Sequence, residues 1–370
     1  MTTKKSTQKD VSSWSLTARV LVLSLLIGGV SGVSAGAVTT KWLADYSSEL
    51  ARFSTPISSD EPLPINLPQS YAEAVNQIRT DVPPAVVTVF KIVGNEFTHD
   101  LVAPENQISA GLVVTSDGWL LAEVPDFNVD QASQLKVLVA DKLYGVSTAV
   151  SSSLKGWWFL KAENASNLPV RPFGAGLSLL SGDQVVLVPS VNAMEPSYIT
   201  ARMSPSIKTS SDYIETRFLL QPIATQISGA VVVNTRGDVV GFFDRSTENG
   251  EQLIPIEVFL PAIRSILKTG SVQNIGLGLT GDNISLLPSG ITDIPNGATR
   301  GFLITGIPKT SEALGFKIGD VILSVNGEWV DDRSSLASYI NTYAIQDTLI
   351  ITVLRDEREQ TISATLLELL

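Results

Sequence analysis

A chain of 370 residues, 44% of them hydrophobic, can bury more than one core, which excludes disorder throughout. Its net charge of -11 argues against nucleic acid as a partner, because displacing counterions from phosphates takes clustered cations. With no cysteine and a single histidine, His99, disulfides, thiolate chemistry and a histidine-built metal site are excluded, and no cofactor is expected.

The chain opens on a basic tail, residues 1–19, carrying Lys4, Lys5, Lys9 and Arg19. From Val20 to Val38 no residue is charged, and this length is close to the roughly 20 residues that cross a bilayer as a helix. The positive-inside rule keeps the tail in the cytoplasm, predicting a single-pass cell-membrane protein whose bulk is extracytoplasmic. Ala35-Gly36-Ala37 also resembles a cleavage site, so a removed signal peptide is the other reading. Residues 39–70, with Pro56, Pro62, Pro64 and Pro68, predict an extended linker.

Beyond Tyr71 the pattern becomes short β-branched runs parted by turns such as Ser116-Asp117-Gly118 and Thr235-Arg236-Gly237, predicting a mainly β barrel or sandwich over residues 71–268. Ile256, Leu260, Ile263, Ile266 and Leu267 recur at helical spacing, so Pro255 to Leu267 is read as a closing helix punctuated by Gly270. A second unit, residues 272–370, combines strands near Phe302, Val321, Leu349 and Ile362 with one helix near Ser334 to Tyr343.

Several stretches, in order, resemble the HtrA/Deg family of exported serine proteases. They are Tyr71 to Val87, Ser109 to Leu121, Phe159-Leu160-Lys161 with Leu168-Pro169-Val170, Ile227 to Asn234, and Arg236 to Gly241. The resemblance implies a trypsin-like double β-barrel after a membrane anchor. In the second unit, Gly301 to Ile307 and Ser311 to Gly327, with Gly319-Asp320-Val321-Ile322 and Asn326-Gly327, closely resemble a PDZ domain, a small β-barrel or sandwich with a helix.

The same comparison implies a degenerate catalytic centre. The family's histidine falls at Pro125, which cannot relay a proton, and its aspartate falls at Gly156, which has no carboxylate. Ser228 stands as a remnant nucleophile in Gln226-Ile227-Ser228-Gly229-Ala230, where Gln226 replaces a glycine that lends its N–H to the oxyanion hole. Neither His99, read as a loop residue, nor Lys161, read as an outward strand lysine, is expected to replace the missing base.

In the PDZ-like unit, Asn274-Ile275-Gly276-Leu277 resembles the loop whose N–H groups receive a peptide's terminal carboxylate before the peptide adds a strand to the sheet edge. Leu336 and Ile340, on one helix face, are the candidates for side-chain selection; alternatively they simply pack in the core. Gly276-Leu-Gly278-Leu-Thr-Gly281 spells a dinucleotide fingerprint, but the stretch after it is extended where that fingerprint needs a helix. The expectation is a membrane-tethered pseudoprotease that binds peptide or protein C termini, alone, as a homo-trimer or with active relatives. The alternative is an active serine endopeptidase of envelope protein quality control that uses Ser228 with an unconventional base.

Overall fold

A computed structural model describes residues 71–91, 106–203, 207–245, 250–287 and 297–369, all within one compact unit that begins at Leu67. The basic tail, the anchor at 20–38, the linker at 39–70 and His99 lie outside the described residues. Among the described residues, no helix is long and apolar enough to cross a membrane.

Helix α1 (Tyr71–Asp81) buries Ala74 and Ile78 and stops ahead of Pro83 and Pro84, which have no N–H to continue it. The chain then runs through β1 (Val86–Lys91), β2 (Gln107–Val113), β3 (Trp119–Glu123), β4 (Leu135–Val139), β5 (Lys142–Ser151) and β6 (Trp157–Ala162). These close into a barrel in the order β1-β2-β3-β6-β5-β4. Gly118, at φ 103°, makes the tight turn between β2 and β3.

Next come β7 (Gln184–Ser190), β8 (Ala193–Met203), β9 (Lys208–Ser210), β10 (Arg217–Leu220), β11 (Val231–Val233), β12 (Val239–Asp244) and β13 (Gln252–Pro255). All but β9 close a second barrel, β10-β13-β12-β11-β7-β8. Helix α2 (Leu260–Thr269) then buries Ala262, Ile263 and Ile266 and ends at left-handed Gly270. The two barrels share a core in which Trp157 packs on Phe242 and Phe259 at ring-centroid distances of 4.8 and 4.7 Å. This is the double barrel that the resemblance implies, with its inter-barrel face lined by the ends of β3 and β6 and the loop before β11.

The C-terminal unit contains β14 (Ile275–Gly276), β15 (Thr280–Asn283), β16 (Phe302–Gly306), β17 (Val321–Val325), β18 (Glu328–Trp329), helix α3 (Leu336–Ile340), β19 (Thr348–Arg355), β20 (Arg358–Thr365) and β21 (Leu367–Glu368). Its core gathers Leu277, Leu279, Phe302, Ile304, Ile322 and Leu349. The main sheet runs β20-β19-β17-β16-β15-β9, with β18 on β17. Its edge strand β9 is lent by the segment joining β8 to β10 of the second barrel, a strand that the sequence pattern does not announce. Arg264 of α2 also donates to the carbonyls of Asn341 and Thr342 at the end of α3, the latter at 2.7 Å.

Candidate functional site

At the inter-barrel face, Ser228 precedes Gly229, whose φ of 78° makes the turn into β11. The Ser228 carbonyl accepts from the N–H of Ala110 at 3.2 Å, so the serine is seated on β2 of the other barrel. Its hydroxyl donates to Glu123 Oε2. Glu123 ends β3 opposite Trp157 of β6 and is buried. Burial pushes its carboxyl above the ordinary range, Asp244 adds to the rise, and the Ser228 hydroxyl opposes it.

The positions where the resemblance places the histidine and aspartate neighbour each other, because Val124 N–H donates to the Gly156 carbonyl at 2.7 Å. Pro125 itself is exposed. Gly156 has φ 85°, and a Cβ there would meet nothing within 4 Å. The stretch leading to Ser228 is bound to carboxylates: Glu195 accepts from the N–H groups of Ala224 and Thr225, and Glu251 from that of Ile223. Gln226 is exposed and does not adopt a positive φ. The N–H groups of Ile223, Ala224 and Thr225, just ahead of Gln226, are thus all held by carboxylates. Lys161 is engaged away from the serine, with Nζ 2.7 Å from Asp117 and over the Trp119 ring.

The second candidate site is the carboxylate loop of the C-terminal unit. Asn274 and β14 pair with the stretch around β21, the Asn274 carbonyl accepting from Leu369 N–H at 2.7 Å. The N–H groups of Leu277 and Gly278 point the other way and donate to Asp212 Oδ1 and Oδ2 at 2.8 and 2.9 Å. Next to it, Ser211 N–H donates to the Leu279 carbonyl and Ser211 Oγ accepts from Leu279 N–H, both at 3.0 Å. Ser211 is fully buried and Asp212 nearly so; burial pushes the Asp212 carboxyl up, against the pull of the Leu277, Ser211 and Gly278 hydrogen bonds. Gly276 is needed beside it, since a Cβ there would lie 2.2 Å from Asp212 Oδ1.

Leu336 and Ile340, the candidates for side-chain selection, are both buried in the cluster that also holds Leu277 and Leu279. Their four-residue spacing marks an apolar helix face. The Gly276 to Gly281 fingerprint continues into β15 and no helix opens there. Glu123, Ser211 and Asp212 are the participants that sequence reasoning missed. For Glu123 a signal existed: a carboxylate at the end of an apolar strand, two residues before Pro125. For Asp212 there was none, because its partners lie 65 and 66 residues away.

Comparison with known proteins agrees with this architecture. The PDZ domain family matches residues 303–366. A probable periplasmic serine endoprotease, DegP-like, of Marinomonas sp. (strain MWYL1) is 24% identical over 273 residues, 70% of this chain and 57% of the relative. The similarly described protein of Halomonas elongata is 25% identical over 268 residues, 70% of this chain and 56% of the relative. The chain thus spans little more than half the length of these relatives. Among solved structures, HtrA-type protease AlgW with decapeptide has a TM-score of 0.51 at 17% identity, covering 81% of this chain and 99% of that one. AlgW with tripeptide gives 0.50 at 18% identity, over 80% of this chain and 96% of that one. These likenesses establish the fold, a trypsin-like double barrel followed by a PDZ domain.

Proposed function

Taking as premise a chain that is HtrA/DegP-like in fold and domain order, we propose that it is a catalytically degenerate, membrane-tethered extracytoplasmic scaffold that captures peptide or protein C termini through its PDZ domain. The observation that carries this reading is the bond from Ser228 to Glu123 in place of an imidazole. Glu123 is a carboxylate, raised by burial, and it lacks the ring N–H through which an aspartate would orient and stabilise an imidazole base. Among the described residues only the Ser228 hydroxyl is seen to hydrogen-bond its carboxylate, and Asp244 adds like charge. The barrels supply a frame for the PDZ domain, with residues 71–268 and 272–370 as the two functional parts.

A second reading follows from the same contact: a serine endopeptidase of envelope protein quality control with Glu123 as its unconventional base. It draws on the relatives' printed description as periplasmic serine endoproteases. Treating the purified full-length chain with a serine-reactive phosphonate, followed by mass mapping, separates the two. No label on Ser228 in the folded protein is expected; labelling would favour the endopeptidase.

The location rests on residues 20–38 and on the periplasmic relatives. The full-length chain is expected in the membrane fraction, with its PDZ domain open to protease added from the outer side. A homo-trimer, or assembly with active relatives, would be read from its mass in detergent.

A further inference from the structure

The peptide groove of the PDZ domain is already filled by the chain itself. Strand addition uses two elements: N–H groups at the loop end, which take a carboxylate, and the open edge of the following strand. Both are engaged by one continuous stretch, Ile207 to Asp212. Asp212 presents two carboxylate oxygens to Leu277 and Gly278, and Ser211 exchanges hydrogen bonds with Leu279 in both directions. The stretch then runs antiparallel along β15 in the register Ser210 with Thr280, Thr209 with Gly281 and Lys208 with Asp282. The Asn283 N–H closes the series on the Ile207 carbonyl at 2.9 Å.

A side-chain carboxylate in the middle of a chain thus makes the contacts that a terminal carboxylate would make. The fit is specific at each point. Ser211 Oγ donates to Asp212 Oδ1 at 2.8 Å and fixes the carboxylate's rotation, and glycine at 276 leaves room for it. The next residue, Tyr213, is half exposed, so the chain leaves the groove immediately after the carboxylate.

We propose that Ser211-Asp212, carried on β9, is an internal ligand of the PDZ groove, and that a peptide with a free C-terminal carboxylate binds only by displacing it. This deepens the peptide-capture reading above and rests on it. Occupied, the groove is closed to termini that bind weakly; emptied, it releases β9 from the sheet edge and returns the β8–β10 connection to the second barrel, the one that bears Ser228.

The test uses the full-length chain in detergent. Cysteines introduced at Ser210 and Thr280, which oppose each other in the β9–β15 register, are the only ones present in an otherwise cysteine-free protein. The probes are a fluorescent randomised decapeptide pool with free C-terminal carboxylates and the same pool amidated. Oxidation should form the disulfide and lower the affinity for the free pool at least tenfold; reduction should restore it, with the amidated pool unaffected. In parallel, Asp212→Ala should raise affinity for the free pool about tenfold over the unmodified chain. Failure of the cysteines to join overturns the internal ligand whatever peptides do. Equal binding of the free pool in the oxidised and reduced states likewise overturns the displacement. If the disulfide forms but the free pool binds no better than the amidated pool in either redox state, it is the peptide-capture reading that fails, and displacement fails with it. The redox comparison is made within one folded molecule, so a folding defect in Asp212→Ala does not decide the outcome.

Discussion

The Ser228 hydroxyl donates a hydrogen bond to Glu123, which stands at the end of β3 two residues before Pro125. The pair joins the two barrels across their shared face, reinforced by the bond from Ala110 N–H to the Ser228 carbonyl. Its properties can be measured without any substrate.

Because burial raises the Glu123 carboxyl above its unfolded value, the folded state holds the proton more tightly than the unfolded chain does. The stabilisation from this group is therefore fully present below the ordinary glutamate pKa and is lost as pH rises through the raised one. Glu123→Gln keeps an acceptor for Ser228 but cannot ionise. Urea unfolding across a pH series should show the variant gaining stability relative to the unmodified chain as pH increases through that window. A pH-independent difference would mean that Glu123 ionises as freely folded as unfolded.

Placing His and Asp at the positions the resemblance gives them should not produce proteolysis. Gly156 has room for a side chain, but its φ of 85° makes Gly156→Asp cost about 1–2 kcal/mol in backbone strain. Gln226 would also still stand where the resemblance places the glycine of the oxyanion hole, so the double variant Pro125→His with Gly156→Asp should cleave unfolded casein no faster than the unmodified chain. Strong recovery would show that the loop rearranges to form an oxyanion site once the base returns.

Ile340 is fully buried among the apolar residues of the PDZ core. Ile340→Ala should therefore cost about 2–5 kcal/mol of stability, as emptying a well-packed site does, and leave the preference for a peptide's last residue unchanged. Denaturant melts and a C-terminal peptide library, run on the same variant, separate the effects. An altered last-residue preference at undiminished stability would return this residue to the groove.

The Gly319-Asp320-Val321-Ile322 motif has a physical content that the structure makes explicit. Asp320 is buried, pairs with the Arg355 guanidinium at 2.7 and 2.6 Å, and accepts from Lys317 N–H at 2.8 Å. Truncating one partner leaves the other charge unpaired, so Asp320→Ala should cost about 3–5 kcal/mol. The double replacement of Asp320 and Arg355 by apolar residues should recover part of that loss in the same denaturant melts.

The sequence reveals those parts of the molecule that repeat a local rule. The β-branched runs became strands, the 256–267 periodicity became α2 behind a short 3-10 turn, and Gly270 ended it in the left-handed conformation. Leu336 and Ile340 were identifiable as a face, but spacing alone does not tell a core from a groove. Glu123 was hidden because β3 is buried at Leu120, Leu121, Ala122 and Glu123 in succession, which erases the alternation that would set a polar residue apart. Asp212 was hidden for a different reason: its partners Leu277 and Gly278 lie 65 and 66 residues along the chain, in the other domain.

That last arrangement bears on how this protein is cut for study. A fragment covering 272–370 alone would lose β9 and leave β15 with a row of bare backbone donors and acceptors. Such an edge invites pairing between molecules, so the fragment should self-associate at high concentration where the whole chain does not. It would also bind termini more avidly than the intact protein, because the occupant it must compete with has been removed. Affinities obtained from the excised domain would describe the vacant groove, whereas in the cell the groove is encountered with Asp212 already in place.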